Sequence, residues 1–272
     1  MPKVVGISGS ERLRGNTEQF VQRALDIISE DGIETELITL ADKEIAGGCT
    51  GCFWCTENIA ECPIKDDFMP IWRKMCEADG IILGAPVYFG ATPAKLKALI
   101  TRAGILNDGR ISPDRPVNII GRERWPETTK PPGLLARKVG GAIVVAQRDG
   151  TLFTLAELSL WFQVNNFIIV SSNYWVEGIE QVGRISGGVG GGGTRVPSED
   201  GKIYKHVTDI LQVDREAEMT LERFAENMAW LVNATYKIRG TPEEQFRQSR
   251  LSSPKWMDPE LRKKILGNSY PG

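Results

Sequence analysis

Four of the chain's five cysteines lie within fourteen residues of one another. The first three are separated by two residues each, and the fourth follows after a gap of six, in the order Cys49, Cys52, Cys55 and Cys62. Thiolates with this spacing on one loop can converge on a single centre, which is how proteins hold an iron–sulfur cluster. The cysteine run therefore predicts a redox protein.

Two other interpretations of the cysteine run remain open. Four thiolates also suit tetrahedral Zn²⁺, although structural zinc sites usually combine two pairs from separate segments. The thiols could also bind no metal, above all if Cys62, which is displaced from the bacterial ferredoxin spacing, points away. The fifth cysteine, Cys76, lies among apolar residues of a predicted helix, and we expect it to pack in the core.

A second polar segment, residues 8–17, joins a short β-branched strand to an amphipathic helix. Hydroxyl, amide and guanidinium groups lie there beside the backbone N–H groups of a helix N-terminus, and together they suit a phosphate. The segment matches neither the P-loop nor the dinucleotide fingerprint, so a mononucleotide phosphate is expected. The alternative is that Ser10, Asn16 and Thr17 only cap the helix.

The elements that must position these groups alternate along the chain. Apolar runs predict strands over 3–8, 34–40, 80–85, 139–146 and 167–170. Helical spacing predicts helices over 17–29, 66–76, 94–103, 152–162 and 215–236. Alternating strands and helices imply a doubly wound five-stranded parallel sheet with helices on both faces. Long segments over 105–137 and 171–212 interrupt this alternation.

Composition excludes several classes of protein. The net charge of -2 over 272 residues argues against a general nucleic-acid binder, whose surface is usually basic. No apolar stretch is long enough for a membrane span or a signal peptide. We therefore expect a soluble cytoplasmic protein, where clustered thiols stay reduced and favour metal ligation over disulfides.

Two motifs resemble those of the NAD(P)H-dependent FMN reductase and iron–sulfur flavoprotein family. The family's G-S-x-R-x-x-G-N-T loop appears as residues 9–17, and its S/A-P-V-Y-F/W-G motif appears as residues 85–90. The resemblance implies a flavodoxin-like sheet of strand order 2-1-3-4-5. Both motifs then follow strands at the point where ligands bind to such sheets, and the cysteine run is expected at the same edge.

The resemblance assigns individual residues to two cofactors. The FMN phosphate would contact Ser8, Ser10, Arg12, Asn16 and Thr17. The isoalloxazine ring would lie along Pro86, Val87, Tyr88, Phe89 and Gly90. Gln147, Arg148 and Asp149 would border the ring, although only Arg148 and Gly150 match the family's third segment. In the iron–sulfur branch of the family a compact cysteine motif binds a [4Fe–4S] cluster, which here would use Cys49, Cys52, Cys55 and Cys62.

The two cofactors together suggest a function. A flavin accepts a hydride as an electron pair and releases electrons singly, while a cluster carries one electron at a time. We therefore expect an FMN-dependent oxidoreductase that transfers electrons between a ferredoxin-like or NAD(P)H donor and a small-molecule acceptor. It needs no catalytic acid or base of its own. The alternatives are a cluster-free NAD(P)H-dependent FMN, quinone or nitro-compound reductase, and a non-enzymatic electron carrier or redox sensor.

The expected organisation is one domain followed by a tail. Residues 1–238 would form the FMN-binding domain, including the cysteine loop 45–65 and the insertions 105–137 and 171–212, and residues 239–272 would form the tail. Family members are homodimers or homotetramers. The helix that contains Leu158, Leu160, Trp161 and Phe162 is a candidate interface element, and core packing is the other interpretation of it.

Overall fold

The computed structural model describes residues 1–52, 54–58, 60–108, 133–146, 150–172, 177–181, 184–185 and 215–240. Its strands are β1 (Lys3–Ser8), β2 (Glu34–Thr39), β3 (Gly80–Pro86), β4 (Val139–Ala146), β5 (Ile168–Ile169), β6 (Glu177–Gln181) and β7 (Arg184–Ile185). Its helices are α1 (Asn16–Glu30), α2 (Trp54–Glu57), α3 (Phe68–Glu77), α4 (Ala94–Asp108), α5 (Thr151–Val164) and α6 (Arg215–Thr235). Among these helices none is both long and apolar enough to cross a membrane.

The sheet has the predicted parallel order. The first four places are taken by β2, β1, β3 and β4, and two short strands share the fifth place beside β4. The start of β4 pairs with β5 through Val139 and Ile168, and its end pairs with β6 through Ala146 and Ile179. A further strand, β7, runs antiparallel to β6. The predicted flavodoxin-like order 2-1-3-4-5 is confirmed.

Helices cover both faces of the sheet. α1 and α6 pack on one face around Phe20, Ile82 and Phe224, whereas α3, α4 and α5 pack on the other around Trp72, Leu99 and Phe162. β3 and β4 are buried over their whole length, as central parallel strands are.

The structure differs from the sequence prediction in three places. α4 continues to Asp108, so the segment expected to begin at 105 begins within this helix. The predicted helix stops before Gly104, but Gly104 continues the helix and sits against α5, where an added Cβ would lie 3.3 Å from the ring nitrogen of Trp161. β6 and β7 lie inside the segment expected to be a loop over 171–212, and α2 was not predicted.

One buried cation stands at the amino end of β4. Lys138 is only 2% exposed, and its ammonium donates to the carbonyl oxygens of Cys76, at 2.7 Å, and of Ala78. Burial, reinforced by the charge of Arg239, lowers the pKa of Lys138 to about 7. Near neutral pH the folded protein therefore contains Lys138 partly as the neutral amine.

The lowered pKa of Lys138 makes stability depend on pH. The ordinary lysine pKa is 10.5, so above about pH 7 the unfolded chain binds more protons than the folded one. The free energy of unfolding should consequently rise with pH in this range, by up to about 1.4 kcal/mol per pH unit. We expect Lys138→Met to remove that rise. Urea unfolding of both proteins at about pH 7 and about pH 9 measures the difference, and equal rises in both would contradict the prediction.

Candidate functional site

The loop after β1 packs on the end of β3 and leaves the N-terminus of α1 open. The Gly9 N–H donates to the Gly84 carbonyl at 2.7 Å. Ser10 Oγ accepts from the Arg12 N–H at 3.1 Å and forms a local turn instead of capping the helix. The N-cap residue is Gly15, and no described side chain makes a capping hydrogen bond to α1. The first-turn N–H groups of α1 can therefore bind an anion.

Ser8 lies directly beneath this helix N-terminus. Alternate residues of β1 face α1, and Ser8 is on the same side as Val4, which packs in the α1 core. Its side chain is fully buried, and Ser8 Oγ has no hydrogen-bond partner within the described part of the chain. A buried hydroxyl without a partner is costly, so this one fits a site for a polar ligand.

The other predicted phosphate residues lie in the same loop. Asn16 and Thr17 are buried in the first turn of α1, Ser10 is buried beside them, and Arg12 is exposed. Lys95 of α4 holds the loop in place, since its ammonium lies 3.0 Å from Glu11 and 3.1 Å from the Leu40 carbonyl. The structure thus brings the five predicted residues together around one helix N-terminus.

The loop after β3 forms a tight turn at the same edge of the sheet. The Val87 N–H donates to the Val145 carbonyl at 2.9 Å, and Tyr88 and Ala91 exchange backbone hydrogen bonds. Phe89 and Gly90 both adopt left-handed backbone angles, with φ of 51° and 77°, and the Phe89 side chain is fully exposed. A non-glycine residue in this conformation is strained, which is typical of ligand-binding turns.

The loop after β4 touches the loop after β3. Gly150 has φ of 85°, and a Cβ there would lie 2.8 Å from the Cα of Gly90. Thr92 strengthens the junction by donating to the Glu157 carboxylate of α5 at 2.6 Å. Gln147, Arg148 and Asp149, predicted to border the ring, lie outside the described residues. The described ends of these loops still meet where the prediction puts the flavin ring.

The four clustered cysteines surround one cavity. Cys49, Cys52, Cys55 and Cys62 line a space of about 120 Å³ together with Arg102, Ile105 and Leu106 of α4. Cys49 and Cys52 are exposed, Cys62 is half-buried, and Cys55 is buried. Burial, and then the neighbouring thiols, raise the pKa of Cys55. The fifth cysteine, Cys76, packs against the hydrophobic core, as predicted.

The described residues do not form a ready-made site for one metal ion. Among the described residues, no three His, Cys, Asp or Glu side chains converge closely enough to hold an ion. A zinc site would need each sulfur at about 2.3 Å from the metal. The four cysteines line the cavity without forming such a group.

The cysteine cavity lies farther from the flavin loops than the sequence suggests. α4 begins at the carboxyl edge of the sheet, where a Cβ at Gly9 would meet Leu96. The cavity is lined by Ile105, nine residues further along, which is about 14 Å along the helix axis. Gly48 also packs on this second half of α4, beside Thr101. The cavity thus faces the second half of α4, whereas the phosphate loop meets its first turn, and the shared edge stays a prediction for the cysteine run.

Sequence reasoning missed a buried ion pair at this cavity. The guanidinium of Arg102 binds both carboxylate oxygens of Asp66, at 2.5 Å and 3.0 Å, and both side chains are almost fully buried. Burial opposes ionisation of Asp66, but hydrogen bonds from Arg102 and from the Ala46 and Phe68 N–H groups hold its pKa below the ordinary value. The one sequence signal of this ion pair was Arg102 itself, a charged residue on the apolar face of the helix predicted over 94–103.

Comparison with known proteins identifies the family. A family model described as NADPH-dependent FMN reductase matches residues 2–181. The chain belongs to this family. It is therefore a flavin-dependent oxidoreductase, and FMN is the flavin that the family uses. The non-enzymatic carrier or sensor considered above is set aside.

Proteins similar to this chain include iron–sulfur flavoproteins. One from Methanocaldococcus jannaschii is 43% identical over 173 residues, which cover 63% of this chain and 77% of the relative. Another from Methanosarcina thermophila is 31% identical over 216 residues, covering 79% and 99%. The resemblance stated from the two sequence motifs is confirmed.

Solved structures share the fold of this FMN reductase. An NADH:FMN oxidoreductase in its apo form superposes with a TM-score of 0.54 at 12% identity, covering 89% of this chain and 96% of that chain. RosB with a bound riboflavin-phosphate intermediate superposes with a TM-score of 0.56 at 15% identity, covering 91% and 86%. At these identities the likeness concerns the fold alone.

The contact between Gly150 and Gly90 can be tested with Gly150→Ala. A side chain at φ of 85° is strained by about 1–2 kcal/mol, and its Cβ would also push against the Gly90 backbone. Gly32→Ala is the matched control, because Gly32 has φ of 73° and nothing within 4 Å of an added Cβ. Urea unfolding should show a loss of stability in both variants. FMN titration followed by fluorescence should show weaker binding in Gly150→Ala only, and equal affinity in both would contradict the contact.

Proposed function

We propose that the chain is an oxidoreductase that uses FMN and a [4Fe–4S] cluster to transfer electrons between a ferredoxin-like or NAD(P)H donor and a small-molecule acceptor. The observation that carries the cluster is that all four cysteines of the run line one cavity. Membership of the FMN reductase family carries the flavin. When bound, the flavin would accept electrons as a pair, and the cluster would carry them one at a time.

The residues that would hold FMN lie at the carboxyl edge of β1, β3 and β4. Ser8, Ser10, Arg12, Asn16 and Thr17 would bind the phosphate, Pro86, Val87, Tyr88, Phe89 and Gly90 would lie along the ring, and Gln147, Arg148 and Asp149 would border it. The open N-terminus of α1 and the unpartnered Ser8 hydroxyl support the first group. The strained turn at Phe89 and Gly90 supports the second group.

Cys49, Cys52, Cys55 and Cys62 would hold the cluster. Their spacing in the sequence and the one cavity that all four line support this assignment. Apolar side chains of α4, Ile105 and Leu106, form part of the wall and would limit water on that side. Cys49 and Cys52 are exposed, so electrons could enter or leave on the open side.

The exposed surface of α5 supports assembly into a homodimer or homotetramer. Phe153, Leu160 and Val164 recur at helical spacing and are 78%, 61% and 79% exposed. The opposite face of α5, with Leu158, Trp161 and Phe162, is in the core. A helix that is apolar all round is usually buried on both sides. A partner subunit on this face would also bring a second flavin site towards the cysteine cavity.

The proposal includes an organisation and a compartment. Residues 1–238 form the FMN-binding domain, with the cysteine loop 45–65 in it, and residues 239–272 form a tail. The protein acts in the cytoplasm, where a reducing environment keeps the cysteine run available for a cluster. Nucleic acids and membranes are not among its partners.

A cluster-free NAD(P)H-dependent FMN, quinone or nitro-compound reductase is the competing function. It is favoured by the exposure of Cys49 and Cys52 in the described structure. In that case the thiols would bind zinc or remain idle. Metal and sulfide analysis separates the two functions.

The phosphate assignment predicts opposite effects of Ser8→Ala on stability and on binding. Without FMN, the change removes a buried hydroxyl that has no described partner, so the stability should be unchanged or slightly higher. With FMN, it removes a hydrogen bond to a charged group, worth about 1.5–3 kcal/mol, and the Kd should rise about 10- to 100-fold. Urea unfolding of the apoprotein and flavin titration measure the two effects. An unchanged FMN affinity would sink the assignment of Ser8.

The cluster assignment is tested by iron and acid-labile sulfide analysis of anaerobically purified protein. We expect both elements in the wild type, no cluster absorption in Cys52→Ala, and retained FMN in that variant, because the flavin loops are separate from the cavity. Cys76→Ala is the matched control, since it removes a thiol that packs against the core and should keep the cluster. Wild-type protein without iron and sulfide would favour the cluster-free reductase.

A further inference from the structure

The side chain of Arg102 forms part of the wall of the cysteine cavity. It extends from α4, its side chain is 1% exposed, and it lines the cavity with the four cysteines. Its Nη2 lies 3.4 Å from Cys62 Sγ, within hydrogen-bond reach of a sulfur acceptor. The positively charged guanidinium thus faces Cys62, the cysteine that follows the longest gap in the run.

The guanidinium is held firmly by its other contacts. Asp66 binds it through two oxygens, and the ring of Phe68 lies 4.0 Å below its central carbon. Nη2 also lies 3.4 Å from the Ile64 carbonyl, two residues after Cys62. Arg102 Nε is buried and has no partner among the described residues. One side chain therefore fixes both Asp66 and the chain on either side of Pro63.

The opposite side of the same segment is anchored to α3. The Trp72 ring nitrogen donates to the Ala60 carbonyl at 3.1 Å, and Ala60 adopts a left-handed φ of 63°. Arg73 forms an ion pair with Glu61 at 3.6 Å. The stretch that carries Cys62 is therefore held between α3 and α4. This explains how a cysteine after a gap of six residues can still face the cavity of the first three.

We propose that Arg102 is a positioning residue that fixes Cys62 as the fourth ligand of the cluster and favours the reduced form of the cluster. The inference rests on the proposed function. Hydrogen bonds to ligand sulfurs and nearby positive charge stabilise added electrons, which raises the reduction potential. The planar guanidinium is required for this role. A guanidinium can bind a carboxylate through two nitrogens and still donate from one of them to a sulfur, which a lysine ammonium cannot do.

The test compares Arg102→Gln with Cys62→Ser in anaerobically prepared protein. Ferricyanide takes one electron from a [4Fe–4S] cluster, one Fe²⁺ leaves, and a [3Fe–4S] cluster remains, which electron paramagnetic resonance detects. Both variants should form the three-iron signal about 10-fold or more faster than the wild type. Arg102→Gln should also have a lower cluster reduction potential than the wild type.

Controls separate positioning from general damage. Lys138→Met removes another buried basic side chain, one that does not line the cavity, and should keep the wild-type rate and potential. FMN content and thermal unfolding report whether each variant folds. If Arg102→Gln does not fold, Arg102→Lys keeps the charge but cannot reach both Asp66 and Cys62, so it should also form the three-iron signal faster.

Three results would overturn the inference. One is a wild-type rate and potential in the folded Arg102 variants, and another is a wild-type rate in Cys62→Ser. Both would leave the proposed function standing, because the wild-type protein would still contain iron and sulfide. Wild-type protein without iron and sulfide would overturn the proposed function, and the inference with it.

Discussion

The packing of α4 on the sheet determines the position of both candidate sites. Its first turn begins at the carboxyl edge, where Leu96 fills the space beside Gly9 and Lys95 binds the loop after β1. Its second half faces the cysteine loop through Arg102, Ile105 and Leu106. Because a helix is rigid over this length, a change in the tilt of α4 would move the two sites together. Trp161 of α5 limits such a change, because its indole N–H donates to the Ile100 carbonyl of α4 at 2.8 Å.

Buried polar groups distinguish the sites from the rest of the core. The Arg102–Asp66 pair is almost fully buried, and loss of one partner from such a pair costs about 3–5 kcal/mol. An apolar pair of similar volume would serve stability equally well, so stability alone does not explain these residues. Ser8 is a smaller example, since its hydroxyl has no described partner. The proposed FMN and cluster would account for both groups.

Sequence patterns predicted the sheet well because its central strands are unambiguous. The continuous apolar runs of β3 and β4 favour buried strands, and the strand order was implied by the family resemblance that the two flavin motifs carry. The end of α4 was missed because Gly104 weakens a helical pattern locally, whereas its close contact with Trp161 becomes visible only in three dimensions. Arg102 and Asp66 were missed for a related reason. They are 36 residues apart, and a pair at such separation leaves no periodic signal in one sequence.

The separation of the two sites constrains how electrons could pass between them. Within one chain, α4 places the cavity about 14 Å along its axis from the turn that meets the phosphate loop. The thiols Cys49 and Cys52 face outwards, as do Phe153, Leu160 and Val164 of the neighbouring helix α5. A second subunit that buried the apolar face of α5 would lie next to α4 and its open cavity. In the proposed function, electron transfer between subunits would account for the outward thiols and the outward apolar helix together.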